Sequence, residues 1–273
     1  MPAADNNPIL GVRSTVNPYS IAMAQLKNRF MWDVRLESWR SRSKVRRWKN
    51  RYFDEKAVIV CNGPSLLETD FSLLEGVFTF GLNKINLLFD KSSFRPSCIV
   101  AVNPFVIEQN ADFYNATEIP LFLDSKATRW VTSKTSIAYL HSSKGVGFAQ
   151  DCSISIFQGH TVTFVAMQIA FHMGFKEVAL IGCDHSFAST GPANAIVVAG
   201  EKDESHFDPS YFSGGVKWQL PDIFESEVAY TRAKNMYEAH GRSLVNTTHG
   251  GKLEIFERLS LSEFVGKNLY GGC

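Results

Sequence analysis

Four polar and turn-forming residues follow a short apolar run and are suited to binding a nucleotide. The apolar residues 57–61 are followed by Asn62, Gly63, Pro64 and Ser65. Such a run predicts a buried parallel strand, and the Gly-Pro pair predicts a tight turn that opens a helix. In open α/β sheets, ligands bind beyond the carboxyl ends of strands, where helix N-termini offer N–H groups to anions. The pattern indicates a site for a nucleotide phosphate or ribose. The same residues are also compatible with a strand-to-helix turn that binds no ligand.

Asparagine ends three successive predicted strands. The strands predicted from residue 57, residue 77 and residue 96 onward finish at Asn62, Asn83 and Asn103. An Asn side chain can pair with a base, a ribose or a phosphate, because it carries both a donor and an acceptor. Asn also suits turns in general. Three Asn residues at one sheet edge favour ligand binding over the general turn preference.

A second group of candidates flanks the clearest helix pattern in the chain. Residues 162–173 are apolar on most sides, so they predict a buried helix with a hydroxyl residue as N-cap and Gly174 as C-cap. Residues 176–184 predict the central strand that follows. The resulting β-loop-α-β unit places its polar residues at the carboxyl edge of the sheet. These candidates are Gly159, His160, Thr161 and Asp184.

The other patterns complete an α/β fold with a mostly parallel sheet and helices on both faces. Further strands are predicted at 119–123, 137–140 and 244–246, and helices at 224–240 and 259–265. The polar, Gly-containing stretch 186–222 is too long for an ordinary connection and predicts a lid or a disordered insertion. Because it follows Asp184 directly, a lid here would hang over the carboxyl edge of the sheet.

The composition limits the class of protein. At 273 residues, with 45% hydrophobic and 20% charged residues, the chain fits one globular domain with an appendage. A net charge of +1 does not indicate a nucleic-acid partner. The five cysteines are scattered and odd in number, which predicts buried free thiols in a reducing cytosol. No apolar run approaches the roughly 18 residues of a membrane span, and the histidines lack a zinc-binding spacing.

The charge is unevenly distributed. Residues 26–51 hold ten Lys or Arg against two acidic residues, a net charge of +8, and the rest of the chain has a net charge of −7. The predicted organisation is a flexible arm over 1–18, a basic helical extension over 19–52 with a break near 41–43, and an α/β domain over 53–273 that includes the lid insertion 186–222. The extension could lie on the inner face of an anionic membrane or on a partner, or pack its aromatic side chains on the domain.

These pieces, in this order, resemble the MptE-like Rossmann family, which is named for an archaeal hydroxymethyl-dihydropterin diphosphokinase. They are also similar to the related bacterial sialyltransferases of the Campylobacter lipooligosaccharide type. The turn 246–251 resembles a turn common in the MptE-like group, and it adds His249 and Gly250 to the nucleotide-binding candidates. The resemblance implies a Rossmann-like fold. It rests on residues 62–66, Asn83, 103–104, 159–174, 176–184, 205–206 and 246–251.

The sialyltransferase resemblance implies a metal-independent transfer from a CMP-sugar to a glycan or small-molecule acceptor in surface polysaccharide assembly. It places residues 62–65 with Asn83 and Asn103 on the donor. It makes His206 the general base that takes the acceptor proton, a role that suits an imidazole near neutral pH. Tyr211 would stabilise the leaving phosphate, where that family uses two tyrosines.

Two other functions are open. An MptE-like diphosphokinase would use ATP and Mg²⁺, with the metal held by Asp184 first and Asp124 second. A non-catalytic nucleotide-binding module, docked on a membrane or partner through its basic helix, would need neither. A homo-oligomer is compatible with each of these functions.

Overall fold

The protein is an α/β structure built around one large sheet. The computed structural model describes residues 17–143, 145–186 and 191–266. Most of the arm predicted over 1–18 therefore lies outside the described residues, as does Cys273. The helices are α1 (Pro18–Asp33), α2 (Leu36–Arg46), α3 (Pro104–Gln109), α4 (Ala111–Ala116), α5 (Val162–Met173), α6 (Ile223–Glu238) and α7 (Leu261–Gly266). The strands are β1 (Lys56–Val60), β2 (Phe78–Leu82), β3 (Cys98–Ala101), β4 (Leu121–Asp124), β5 (Ile137–Leu140), β6 (Ser142–Ser143), β7 (Ile156–Phe157), β8 (Glu177–Ile181), β9 (Ile196–Val198), β10 (Lys217–Gln219), β11 (Ser243–Asn246) and β12 (Glu257–Arg258).

Eight strands form the main sheet in the order β12-β11-β8-β1-β2-β3-β4-β5, and every neighbouring pair is parallel. The chain moves from β1 outward to β5 and then returns to the other side of β1 as β8. The order therefore reverses between β1 and β8, where Val60 is in register with Ile181. Such a switch point opens a crevice at the carboxyl ends of the strands, which is where ligands bind in this architecture.

The central strands are apolar throughout because helices and turns cover both faces of the sheet. On one face, Ile59, Phe80 and Leu180 pack with α5 and α6. On the other face, Val60 and Ile181 pack with the connections between β1 and β5 and with α7. The Rossmann-like α/β prediction, with a mostly parallel sheet and helices on both faces, is confirmed.

Helix α5 has the boundaries that its sequence predicts. The Thr161 hydroxyl accepts a hydrogen bond from the Thr163 N–H at 3.3 Å, which satisfies an N–H group at the start of the helix. Gly174 ends the helix in the left-handed conformation with φ +98°, which an L side chain rarely adopts. The helix is buried along almost its whole length, so it fixes the position of its N-terminus relative to the sheet.

The basic segment forms two helices, and its break differs from the predicted one. The chain turns at Val34 and Arg35, whereas α2 continues through 41–43 without interruption. Helix α2 packs along the edge strand β5, where the buried Ser41 hydroxyl accepts from the Tyr139 N–H at 3.0 Å. The Lys44 ammonium group donates to two main-chain carbonyls beside β5. Helix α2 therefore covers an edge that would otherwise expose unpaired backbone groups.

The residues after α2 are also part of the core. Tyr52 stacks on Phe175 with ring centroids 5.0 Å apart, and its N–H donates to the Met173 carbonyl at 2.9 Å. Trp48 packs against the main core beside it. From α2 onward, the basic segment packs on the domain, which is one of the possibilities that its sequence leaves open. Within the described residues, no helix combines the length and the apolar character needed to cross a bilayer.

The insertion predicted as a lid lies over the carboxyl edge of the sheet. Its described part contains the antiparallel pair β9 and β10, while 187–190 lie outside the described residues. Main-chain and side-chain bonds hold it down: the Phe207 N–H donates to the Asn62 carbonyl at 2.9 Å, and the Lys84 ammonium donates to the Tyr211 carbonyl at 2.6 Å. Burial lowers the pKa of Lys84 to about 8.

Candidate functional site

A cavity of about 860 Å³ lies at the carboxyl edge, between the sheet, the N-terminus of α5 and the insertion. This volume lies within the range of small-molecule sites. The cavity lies beyond β8 and β1, so it occupies the switch point of the sheet. Most of the site residues predicted from the sequence line it: Asn62, Gly63, Asn83, Asn103, Gly159, His160, Thr161, Asp184, His206 and Tyr211.

The three asparagines lie on adjacent strands, and two of them have an unused acceptor. The side-chain oxygens of Asn62 and Asn83 are buried and accept no hydrogen bond from any described residue. The Asn103 oxygen, by contrast, accepts from the Phe105 N–H at 2.9 Å and caps α3. A buried polar atom without a partner is costly, so the two free amide oxygens indicate a ligand that donates to them.

Tyr211 contributes a third buried polar atom, which lies beside the Asn83 side chain. Its hydroxyl is buried and forms no hydrogen bond of normal geometry with any described residue. Burial raises the pKa of Tyr211, and the neighbouring Asn83 side chain opposes that rise only in part. The phenol therefore keeps its proton at neutral pH, and it can donate to an anionic ligand in the cavity.

His206 lies on the cavity wall and is oriented by a carboxylate. Its Nδ1 atom is 2.7 Å from Oδ2 of Asp203, and its ring stacks on Tyr211 with centroids 4.0 Å apart. Burial acts to raise the pKa of Asp203, but the hydrogen bond and the charge of His206 outweigh it, and the pKa is lowered. The ionised carboxylate only accepts, so in the neutral imidazole Nδ1 carries the proton and Nε2 is the basic nitrogen.

Asp184 does not face a ligand in the way that the sequence suggests. Its carboxylate accepts from the Ser65 hydroxyl at 2.8 Å and from the Ser65 N–H at 3.3 Å. It therefore occupies the N-terminus of the short 3₁₀ helix Pro64–Glu68, the place where the sequence predicts a nucleotide phosphate. Pro64 and Ser65 do not line the cavity, and their predicted role at the nucleotide stays a prediction.

The position of the Asp184 carboxylate also explains why residue 63 is a glycine. A Cβ atom at this position would lie 1.8 Å from Oδ2 of Asp184 and 2.7 Å from the Gly182 carbonyl oxygen. The φ angle of Gly63 is −72°, which any residue can adopt, so the constraint is steric and not conformational. The close neighbour of Gly63 is thus a carboxylate of the protein itself.

The N-terminus of α5 supplies the second polar wall. Gly159, His160 and Thr161 line the cavity directly before the helix begins. The Cys61 thiol lies 3.7 Å from the Thr163 hydroxyl, which places the first turn of α5 beside the end of β1. Helix N-termini attract anions through their N–H groups and macrodipole, so this wall is suited to an anionic group of a ligand.

Strained backbone is concentrated at the cavity. Six described residues other than glycine have a positive φ angle, and four of them line the cavity. Asn and His tolerate this conformation better than most residues, yet it still costs free energy. Strain of this kind is typical of residues held in place for binding. The four residues are Asn83, His160, His185 and Asn194.

His249 and Gly250 do not line the cavity, in contrast to their predicted place at the nucleotide. The His249 side chain is 80% exposed and pairs with Glu68 at 2.5 Å. Their turn supports Asp184 from behind, because the Lys252 N–H donates to the Asp184 carbonyl at 2.8 Å. The turn carries a structural role that its sequence does not distinguish from ligand binding.

Asp124, the second carboxylate considered for a metal, is fully buried at the end of β4. It accepts from the Lys126 N–H, the Ser142 hydroxyl and the Gln158 amide, so its oxygens are used within the protein. Among the described residues, no group of three His, Cys, Asp or Glu side chains is arranged to hold a metal ion. Asp124 is therefore already engaged within the protein, and no preformed three-ligand metal cluster is found among the described residues.

Sequence reasoning missed several residues of the site. Asp203 precedes His206 by three positions, and that Asp-x-x-His spacing within one loop was the available signal. Tyr230, buried on α6, lines the cavity with its hydroxyl 3.4 Å from that of Thr161. Ala24 and Asn28 of α1 also border the cavity, and nothing in their sequence indicates it.

Comparisons with known proteins give two matches. A family model described as "6-hydroxymethylpterin diphosphokinase MptE-like" matches residues 33–190, more than half of the chain. The solved structure of the MAf glycosyltransferase from Magnetospirillum magneticum AMB-1 is 15% identical, with a TM-score of 0.48 over 85% of this chain. The match covers 41% of that protein, so this chain spans less than half of its length. No curated protein matches the chain.

Proposed function

The chain belongs to the MptE-like family, and on that premise we propose that it is a nucleotide-dependent transferase that moves a sugar from a CMP-activated donor to a hydroxyl acceptor. Family membership supports the coarser statement, a transferase-like role. The donor, the sialyltransferase-like chemistry and a place in surface glycan assembly, on the cytoplasmic side, are parts of the proposal.

The observation that carries the proposal is the pairing of His206 with Asp203 on the cavity wall. A sugar transfer needs a base to take the proton of the acceptor hydroxyl, and an oriented imidazole with a free Nε2 suits that step. The stacked Tyr211 ring fixes the plane of the imidazole, so both groups face the same cavity in a defined geometry.

The reaction would proceed in one displacement. The acceptor oxygen bonds to the anomeric carbon of the donor while its proton passes to Nε2 of His206. The bond from the anomeric carbon to the phosphate oxygen breaks, and its electron pair leaves with the nucleotide. The N-terminus of α5 and the Tyr211 hydroxyl would stabilise the charge on the leaving phosphate. The free amide oxygens of Asn62 and Asn83 would accept from the donor's base or ribose.

The family model itself favours a second candidate, a diphosphokinase that uses ATP and Mg²⁺. Magnesium in such sites is held by one or two carboxylates together with the phosphates. Asp184 is the carboxylate nearest to this role, but Ser65 already holds both of its oxygens. No step is therefore assigned to a metal, and the sugar transfer is kept as the first of the two candidates.

A thermal-shift titration separates the candidates at the level of binding. CMP, CDP, UDP, GDP and ATP are each titrated with Mg²⁺ and with EDTA. The proposal expects CMP and CDP to raise the melting temperature equally in both conditions. Stabilisation by ATP alone, and only with Mg²⁺, would favour the diphosphokinase. Binding of a nucleotide without turnover of any donor would favour the third function, a non-catalytic nucleotide-binding module.

Turnover of the CMP-sugar, measured as CMP release, then tests the base. His206→Ala should lower kcat by about 10²–10⁴-fold and change donor affinity by no more than a few-fold. Asp203→Asn should lower kcat too, and the double variant should be no worse than His206→Ala, because the two residues act as one unit. The matched control is His249→Ala, an exposed histidine outside the cavity. Near-normal turnover of His206→Ala, or loss of activity on adding EDTA, would overturn the proposed mechanism.

A further inference from the structure

Helix α1 carries an apolar stripe that the described part of the chain leaves uncovered. The helix is attached along its opposite side, where Trp32 is its one buried residue and Arg29 donates to the Ser155 hydroxyl at 3.0 Å. Large apolar side chains are normally placed against a core, so a continuous exposed row calls for a contact outside the domain. The stripe has helical spacing and side chains that are 64–80% exposed: Tyr19, Met23, Leu26 and Phe30.

The apolar surface continues across the junction onto α2. Leu36 is 76% exposed and Trp39 is 69% exposed on the side of α2 that faces away from β5. The Trp39 indole N–H donates to the Asp33 carbonyl at 2.9 Å, so the ring is held at the junction of the two helices. The indole therefore presents its apolar face to solvent in a fixed place.

The same helices carry cations that the fold does not use. Five of the ten Lys and Arg residues between 26 and 51 have partners within the described structure, namely Asp33, Asp151, main-chain carbonyls and the Trp48 ring. The other five are exposed and form no ion pair or hydrogen bond through their side chains with any described residue. They are Lys27, Arg35, Arg40, Arg46 and Arg47.

We propose that α1 and the outer side of α2 form a docking surface for an anionic lipid bilayer. Apolar and aromatic side chains that enter the acyl boundary, flanked by Lys and Arg at the level of the phosphates, are what an interfacial helix requires. The five cations that have no partner among the described residues complement the negative headgroups of such a bilayer. The fluid surface of a bilayer also adapts to two convex helices, whereas a protein partner needs a groove of matching shape.

The test uses the full-length protein and sedimentation with vesicles of phosphatidylcholine, with and without 30 mol% phosphatidylglycerol. A deletion of 1–52 is unsuitable, because α2 and Tyr52 belong to the core. Binding to the anionic vesicles is expected and should weaken at high salt. Arg40→Gln/Arg47→Gln should lower the partition coefficient about 25-fold, since each cation near an anionic surface contributes about five-fold. Leu26→Gln/Phe30→Gln should lower it by about tenfold or more.

The matched control is Lys217→Gln/Lys252→Gln, which removes two exposed cations elsewhere. It should bind like the unmodified protein, and circular dichroism should be unchanged in all three variants. Equal binding by the Arg40/Arg47 variant and the control would overturn the proposal. So would an absence of binding to anionic vesicles at low salt. If light scattering shows that Leu26→Gln/Phe30→Gln turns a dimer into a monomer, and vesicles are not bound, the surface belongs to a second copy of the chain.

Discussion

Replacing Gly63 by alanine places a methyl group where the Asp184 carboxylate lies. The added Cβ would be 1.8 Å from Oδ2 of Asp184, a distance at which one of the two groups must move. The flexible group is the Asp184 side chain. If it swings away, it loses its hydrogen bonds to the Ser65 hydroxyl and N–H. The carbonyl oxygen of Gly182, 2.7 Å from the new Cβ, is less free to move because it accepts from the Gly63 N–H.

The cost follows from these two contacts. Loss of a charge-assisted hydrogen-bonded contact at Ser65 costs about 1.5–3 kcal/mol. The backbone shift at Gly182 adds about 1–3 kcal/mol, as in other overpacked sites. Gly63→Ala is therefore expected to lower the free energy of unfolding by about 2.5–6 kcal/mol. Asp184→Ala alone loses only the first contribution, about 1.5–3 kcal/mol.

A double-mutant cycle isolates the contact. In Asp184→Ala the carboxylate is already gone, so the added Gly63→Ala change meets only the Gly182 carbonyl. The double variant should be about as stable as Gly63→Ala alone, a departure of about 1.5–3 kcal/mol from additivity. The free energies come from urea unfolding at constant m-value.

Additive effects of the two substitutions would refute the reasoning, because they would show that Gly63 and Asp184 do not compete for the same space. Gly63→Ala with stability within about 0.5 kcal/mol of the unmodified protein would refute it as well. In that case the glycine would be free to serve a bound ligand, which is the role that the sequence first suggests.

Three further predictions concern the support of the site. Ser41→Ala leaves the Tyr139 N–H without its acceptor and should lower the free energy of unfolding by about 1–3 kcal/mol. The control Ser43→Ala, at an exposed position, should change it little. Equal effects of the two substitutions in urea unfolding would contradict the packing of α2 on β5. The pKa of Lys84 is lowered by burial to about 8 from an ordinary value of 10.5, so the unfolded chain binds more protons between these values. The free energy of unfolding should therefore rise from pH 8 to 9.5 relative to Lys84→Met, and parallel pH profiles would contradict this. Burial raises the pKa of the Cys98 and Cys152 thiols, which lie outside the cavity. Mass spectrometry after brief native alkylation should find little modification of either thiol and ready modification in urea. Rapid native labelling would contradict their burial.

The sequence by itself determined the sheet and the edge at which the cavity lies. Each central strand is a short apolar run, and α5 has its own cap residues at Thr161 and Gly174, so their limits are set by local propensity. Parallel strands share one carboxyl edge, so the asparagines that follow them must lie near one another. Asn62, Asn83 and Asn103 do line one cavity.

The break in the basic segment was not predictable in the same way. The apolar residues of 26–51 do not fall on one stripe, so periodicity does not tell which of them face the domain. The position of α2 depends on the edge strand β5, some 100 residues later in the chain, where the Tyr139 N–H donates to the Ser41 hydroxyl and the Ile137 carbonyl accepts from Lys44. A contact of that range leaves no signal in the local sequence.

Only the tertiary structure decided which polar residues of the edge remain available to a ligand. Ser65 and Asp184 satisfy each other, the His249 turn supports Asp184 from behind, and neither pairing can be inferred from residue types alone. Conversely, His206 gains its orienting carboxylate from Asp203 through the fold of the insertion. The residue type does not show whether a side chain is available to a ligand or already paired within the protein. The difference lies in the partner that the fold brings within hydrogen-bond distance, which is distant in the chain for Asp184 and only three residues away for His206.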